Sequence, residues 1–452
     1  RKHPTTYKTI ALPYQLNGPN GKCIYYEENA DPNSWDEANI FAQNKGGRLP
    51  TKQEMFDYLD ANGNIGTSEQ WIPIYNTDIE TPYKDYIRIN NIGGGTLKEL
   101  KSAGSLPFSD FDGTNSLNDY YFWVIEQTNY TVDFPEATTC DILIVGGGGG
   151  GGGGLVNDGT GGGGGAGGLV FLPNQTLCGS YTFKVGKGGE GTNKHGLNGI
   201  DSLIEKSDKT GIDGIDNFIS KGGGGGGNGT TSANNISTRG VSGGSGGGGG
   251  GNEQADGGNS IQSSYNGRGF GNIGGVVYNP SGDQSGGGGG AGSKGGDSHV
   301  HSGKNAAGEG GIGLHKVNIN GNEYIFKDIF GTNYGQYIIN GETTHGFGTS
   351  QDYFNQYYEN PKNYLNPSYI NVPSDVLTGP HPKVEEGIYF AGGGAGKIGG
   401  EDTNINNNDI TYGGLGGGGS TQLSTGIIQT GINGTGGGGG GSGKRDNYTS
   451  VG

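Results

Sequence analysis

The chain of 452 residues has three cysteines, one methionine and few apolar side chains, with hydrophobic residues making up only 29% of it. This length allows two or three domains, but the shortfall of apolar residues excludes a conventional core throughout them. No window approaches the 18 or more apolar residues of a membrane span, so membrane insertion is not expected. Basic residues are scarce as well. Lys and Arg number 28 against 44 Asp and Glu, a net charge of −16, which argues against a nucleic-acid partner because phosphate binding needs a basic surface. No secretory leader is recognisable, and Arg1 reads as a processed N-terminus.

Chemistry-bearing residues are not clustered. The seven histidines are scattered, with His299 and His301 as the single close pair, and no cysteine or carboxylate cluster joins them. The phosphate-loop pattern is missing. The strand-then-glycine stretch at 142–165 fits the dinucleotide fingerprint only as any polyglycine does, with no helix behind it to face a pyrophosphate. The expectation is a protein with no catalytic residue, cofactor or metal. Cys140 opens one strand-like segment and Cys178 precedes another; they form a disulfide in an oxidising compartment, or remain buried thiols alongside Cys23. Six acceptor sequons, at Asn129, Asn174, Asn228, Asn235, Asn433 and Asn447, allow glycosylation if a eukaryotic cell secretes the chain.

What the chain has is glycine. Of its 105 glycines, 11 precede Asn129 and 94 follow it. Residues 140–154 read CDILIVGGGGGGGGG, a short apolar strand running into nine glycines, and runs recur at 161–165, 222–227, 246–251, 286–290, 416–419 and 436–441. Gly-rich runs are either flexible linkers or extended polyglycine II helices. The latter have three residues per turn and a rise of about 3.1 Å, and lie side by side because no Cβ separates their backbones. Recurrence at similar length between strand-like pieces (130–134, 140–145, 167–172, 181–185, 202–204) favours the bundle.

Residues 1–128 have ordinary globular composition. Ser34-Trp35-Asp36-Glu37 and Thr51-Lys52-Gln53-Glu54 are capping boxes, each opening a helix. Trp35, Ala38 and Ala42 share one face of the first helix, and Met55 and Leu59 the inner face of the second. Strand-like pieces follow at 71–75, 86–89 and 120–125, so the expected class is an α+β module. Asp60, Asn62 and Asn64 alternate as in a calcium loop, but Ile65 stands where glycine is needed, and the stretch reads as a helix end and a turn. The run SWDEANIFAQNKGGRLPTKQEMFDYL resembles the start of C-type-lectin-like domains. Asn118-Asp119 sits where calcium-dependent members of that family keep an Asn-Asp pair, with Leu117 in place of tryptophan and without the usual disulfide cysteines. The resemblance implies a C-type-lectin-like module with calcium-dependent sugar binding, and the departures weigh against that activity and for a structural or protein-contact role.

From 129 to 452 the elements YTVDFPEATTCDILIVGGGGGGG, GGGGGAGGLV, GSYTFKVGKGG, NGIDSLI, GGIGL and YFAGGG resemble a glycine-rich module of surface proteins of large DNA viruses. More distantly they resemble phage tail-fibre tip adhesins. Between 316 and 390 the glycine runs stop, and nine tyrosines and five phenylalanines appear. This reads as an insertion whose aromatics form a private minicore or an interface, with Tyr353, Phe354, Tyr357 and Tyr358 as contact candidates. The whole reads as an α+β N-terminal module followed by a β/polyglycine-II helix bundle. Its expected role is that of a non-enzymatic extracellular or virion-surface protein whose partners are other subunits, or a host-surface receptor or glycan. A cellular filament subunit is the alternative, and an ice-binding protein a remote one.

Overall fold

The first strand, β1 (Lys22–Glu28), is followed in the computed structural model by α1 (Trp35–Asn44), α2 (Lys52–Asn62) and a three-stranded antiparallel sheet of β2 (Gln70–Tyr75), β3 (Lys84–Asn90) and β4 (Leu97–Ser102). The structure describes residues 22–28, 35–45, 47–62, 70–75, 84–90, 97–102, 120–154, 159–192, 194–208, 210–212, 217–229, 238–251, 254–278, 284–301, 304–331, 334–339, 342–345, 387–397, 410–411, 413–422, 430–432 and 434–443. Thr51 and Glu54 bond reciprocally at the start of α2: the Thr51 N–H donates to Glu54 Oε2 at 2.8 Å and the Glu54 N–H to Thr51 Oγ1 at 3.3 Å. Trp35, Ala38 and Ala42 are buried, and the Trp35 Nε1–H donates to the Ile74 carbonyl. Met55 and Leu59 close on Ile72 and Ile74.

The expected fold class is corrected here. Strands account for 36% of the structure and three short helices for 9%. Two helices of 10 and 11 residues do not make a helical layer. The last strand-like piece of the N-terminal part, moreover, does not stop at 125. It runs on as β5 (Tyr120–Val145), pairs along its first residues with β1, and crosses the expected boundary at 128/129.

β5 and β6 (Leu169–Gly186) form a long antiparallel ribbon with register shifts between Phe134 and Thr138 and between Cys140 and Ile142. Both ends of the ribbon meet one layer of glycine backbone. At one end Lys187 N–H donates to the Glu126 carbonyl, and at the other Gly146 N–H donates to Gly168; Gly147 and Ile200 then link the two ends through Lys187. The ribbon therefore leaves this layer, arches over at its bulges and returns. Side-chain alternation sends the two faces of its returning half into different cores. Ile142, Ile144, Val170 and Leu172 turn inside the arch with Leu177, Tyr181 and Ile204 of β7 (Ser202–Lys206) and Phe218 of β8 (Asn217–Ser220). Leu143, Val145, Leu169 and Phe171 turn outward. A short strand, β9 (Gly269–Phe270), pairs with β6 at Leu169 and Val170.

That outward face is where the aromatic insertion packs. After the hairpin of β10 (His299–His301) and β11 (Lys304–Ala306), the chain forms the hairpin of β12 (Lys316–Ile319) and β13 (Asn322–Ile325) and the one-turn helix α3 (Phe326–Phe330). A sheet follows in which β14 (Gln336–Ile339) lies between β15 (Glu342–His345) and β16 (Gly387–Tyr389). The Phe171 ring stands 5.4 Å from both Tyr324 and Phe326, and Phe326 stands 6.0 Å from Phe390. Tyr324, Phe326, Phe330, Tyr334 and Phe390 thus form a core against a strand face, which supplies the side chains that a glycine surface could not. Leu314 and Phe390 exchange backbone hydrogen bonds and pin the two ends of the insertion together. Tyr353, Phe354, Tyr357 and Tyr358 lie outside the described residues.

Candidate functional site

The glycine runs are buried, and their backbones bond to one another in a repeating pattern. Along residues 161–168 the N–H groups of 161, 164 and 167 donate to Ser442, Gly439 and Gly436 in turn. Those of 162, 165 and 168 donate to Gly227, Gly224 and Lys221, and those of 163 and 166 to Gly286 and Gly289. The carbonyls face three further runs: 162, 165 and 168 accept from Gly152, Gly149 and Gly146, 163 and 166 from Gly248 and Ser245, and 164 from Gly394. One run therefore donates to three neighbours and accepts from three others. The direction repeats every third residue, the period of an extended threefold helix. Neighbours run both parallel and antiparallel to it. Absence of Cβ is what permits this approach: a Cβ built on Gly164 would fall onto the Gly149 carbonyl, and one on Gly163 onto that of Gly394.

The arch covers one end of this lattice. At the other end Gly154 bridges Gly229 and Thr160 bridges Gly443. Polar side chains tie individual runs to fixed partners. Asn198 Oδ1 accepts from Gly225, Asp201 Oδ1 from Gly222, and Gln336 Oε1 from both Gly416 and Gly417.

Between the N-terminal helices and the lattice lies a buried charged joint that sequence reasoning missed. Arg48, 3% exposed, donates to both carboxylate oxygens of Glu54 at 2.9 Å and to Glu126 Oε2 at 3.2 Å. Glu126 Oε1 meets Lys187 Nζ at 3.5 Å, and Lys187 meets Glu190 at 2.8 Å. Burial alone would lower the Arg48 pKa; its hydrogen bond to Glu54 and the charges of Glu54 and Glu126 outweigh this and hold it above its ordinary value. Arg48 is the arginine of the GGRLPT turn, so the motif was visible, but its acid 78 residues away was not. A second contact completes the joint: Lys221 Nζ donates to Asp201 Oδ2 and to the Gln43 carbonyl at the end of α1, both at 2.8 Å. Burial raises the Asp201 pKa, and Lys221 and the Gly222 N–H partly oppose it.

The disulfide expectation is corrected: Cys140 and Cys178 are both free thiols. The ribbon register sets Cys140 opposite Gln175, leaving Cys178 three residues further along. At about 3.3 Å per residue that is about 10 Å, beyond the roughly 7 Å Cα separation a disulfide can bridge. Burial raises the Cys140 pKa, and Asp141 adds to it. Among the sequons, Asn174 is exposed, Asn129 is half-buried in β5 and Asn228 is 2% exposed. Asn235, Asn433 and Asn447 lie outside the described residues, as do Asn118, Asp119 and Asn64. No group of three or more His, Cys, Asp or Glu is placed to hold a metal among the described residues.

Glu309 lies in the run 307–313. The residue is partly exposed, and burial raises its pKa to about 8 from 4.5. A raised folded-state pKa means that the neutral acid is favoured by folding. The associated stability is present below pH 4.5 and is lost as pH rises through about 8. Glu309→Gln should therefore melt at a higher temperature than the parent at pH 8.5 and close to it at pH 4. Equal melting at both values would show that the carboxyl reaches water.

Residues 125–325 match the model of a glycine-rich domain. No curated protein and no solved structure matches the chain. The glycine-rich domain opens at the start of the β5–β6 ribbon and closes at Ile325, the end of β13. Its lattice is not complete within those limits: Gly164 donates to Gly439 and accepts from Gly394, both well beyond residue 325.

Proposed function

We propose that this protein is a non-enzymatic extracellular structural or adhesive protein, displayed on a virion surface as a capsid-associated or fibre component that mediates assembly or host attachment. The observation that supports this reading is the run at 161–168, bonded to three runs as donor and three as acceptor. Such a backbone lattice, whose runs fill their own interior with mutual hydrogen bonds, makes a stiff spacer. The resemblance of 129–452 to viral glycine-rich modules and of 35–59 to the start of C-type-lectin-like domains favours the same reading. Its partners are then further protein subunits, or a host-surface receptor or glycan.

The test separates spacer from contact surface. Residues 346–386 are replaced by a short Gly-Ser linker joining β15 to β16, which leaves Phe171, Tyr324, Phe326 and Phe390 in place. The expected result is unchanged melting of the lattice with loss of particle assembly or host-cell attachment. Normal assembly and attachment of the deleted protein would end the proposal that this segment is the contact surface, and with it Tyr353, Phe354, Tyr357 and Tyr358 as anchors.

A further inference from the structure

We infer that Asn174 is an N-glycosylation site, occupied on the outermost part of the β5–β6 arch; the inference rests on the extracellular reading above. Of the six sequons, three fall on described residues whose surroundings can be compared. Asn228 is enclosed by the lattice at 2% exposure, and the Asn129 Oδ1 is buried within the paired part of β5, opposite Lys184. Asn174 differs on every count. It lies beside the register shift of the ribbon, follows Pro173, and holds a left-handed backbone at φ 53°, a conformation asparagine tolerates at turns. Its N–H donates to Asp141 Oδ1 at 2.8 Å, which anchors the turn across the ribbon. Asn174 and Thr176 are both exposed while Gln175 between them is 5% exposed. The amide that would carry the sugar and the hydroxyl the transferase requires therefore project outward together. Cys178, two residues further on, is exposed as well. A glycan at Asn174 would stand on the same side of the strand as this free thiol and shield it from cross-linking to a second copy.

The chain, fused to a cleavable secretion leader, is expressed in cultured insect cells. The folded secreted protein is treated with peptide N-glycosidase in ¹⁸O water and digested with chymotrypsin, and the peptides are sequenced by tandem mass spectrometry so that each shift is assigned to one residue. Asn174 should show the Asn-to-Asp mass shift, and Asn228 should not. Asn174→Asp, which keeps a side chain that tolerates the left-handed turn, and Thr176→Ala should each abolish the shift without lowering the melting temperature. An unmodified Asn174 in the folded wild-type protein, or persistence of the shift in Thr176→Ala, would overturn the inference. Location of the native protein by fractionation of its source is read separately. An intracellular native protein with a glycosylated reporter would sink the proposed function and leave the accessibility of Asn174 standing.

Discussion

Replacing Gly149 with valine should destabilise the protein by about 3 kcal/mol or more, the range expected when overpacking is combined with lost buried backbone hydrogen bonds. Gly149 donates to Gly165 at 2.8 Å and accepts from Gly439 at 2.9 Å, and a Cβ placed on it would fall onto the Gly224 carbonyl. No side chain lies there to rotate away. Three runs would have to separate, and each separation breaks bonds that repeat along the run. Gly149→Ala should show the same effect at smaller size. Gly188→Ala is the control: that glycine is exposed, and an added Cβ meets only the Gly148 carbonyl at 3.6 Å, an ordinary contact. Chemical denaturation of the three variants beside the parent gives the comparison. If Gly149→Val and Gly188→Ala were equally harmless, the runs would be acting as linkers and the lattice account would fail.

Arg48→Met should cost about 3–5 kcal/mol, the loss found when one partner of a buried ion pair is removed and the other charge is left behind. Here two carboxylates are left, Glu54 and Glu126, with side chains 12% and 7% exposed. Arg48→Lys should recover little, because an ammonium cannot span Glu54 bidentately while also reaching Glu126 and the Leu49 carbonyl. The damage should be local. Limited proteolysis of Arg48→Met is expected to remove the N-terminal helices first and to leave a resistant fragment beginning near β5. Simultaneous loss of both parts would show that the helices and lattice fold as one cooperative unit rather than through this joint.

The elements legible in the sequence were those written in side chains. The apolar runs LVFL at 169–172 and ILIV at 142–145 announce strands, the capping pair Thr51 and Glu54 a helix start, and Trp35, Ala38 and Ala42 a buried helix face; each is where the residues place it. What the residues could not state was destination. Nothing in Phe171 says that its partners are Tyr324 and Phe326, so the insertion's aromatics looked homeless against glycine when a strand face was waiting for them. The two cysteines sat at plausible strand ends, and only the ribbon register separates them. The expected α+β class failed because two good capping signals open helices of three turns or less, while the strand-like pieces at 120–125, 130–134 and 140–145 join into one long strand. Arg48 was visible as part of a turn, but Glu126 became its partner only through the pairing of the Arg48 backbone with Val124.

The threefold repeat within the lattice carries a consequence for how the chain finds its alignment. A polyglycine run slid along its axis by three residues presents the same donors and acceptors to the same neighbours, so the backbone alone cannot tell one setting from the next. In β-sheets a slip turns side chains to the wrong face and is penalised; glycine has none to misplace. Alignment must then come from the few non-glycine residues that notch the runs, namely Asn198 against Gly225, Asp201 against Gly222, and Gln336 astride Gly416 and Gly417. These act as detents on a sliding rod, and the monotony of the glycine tracts is workable because such stops interrupt it.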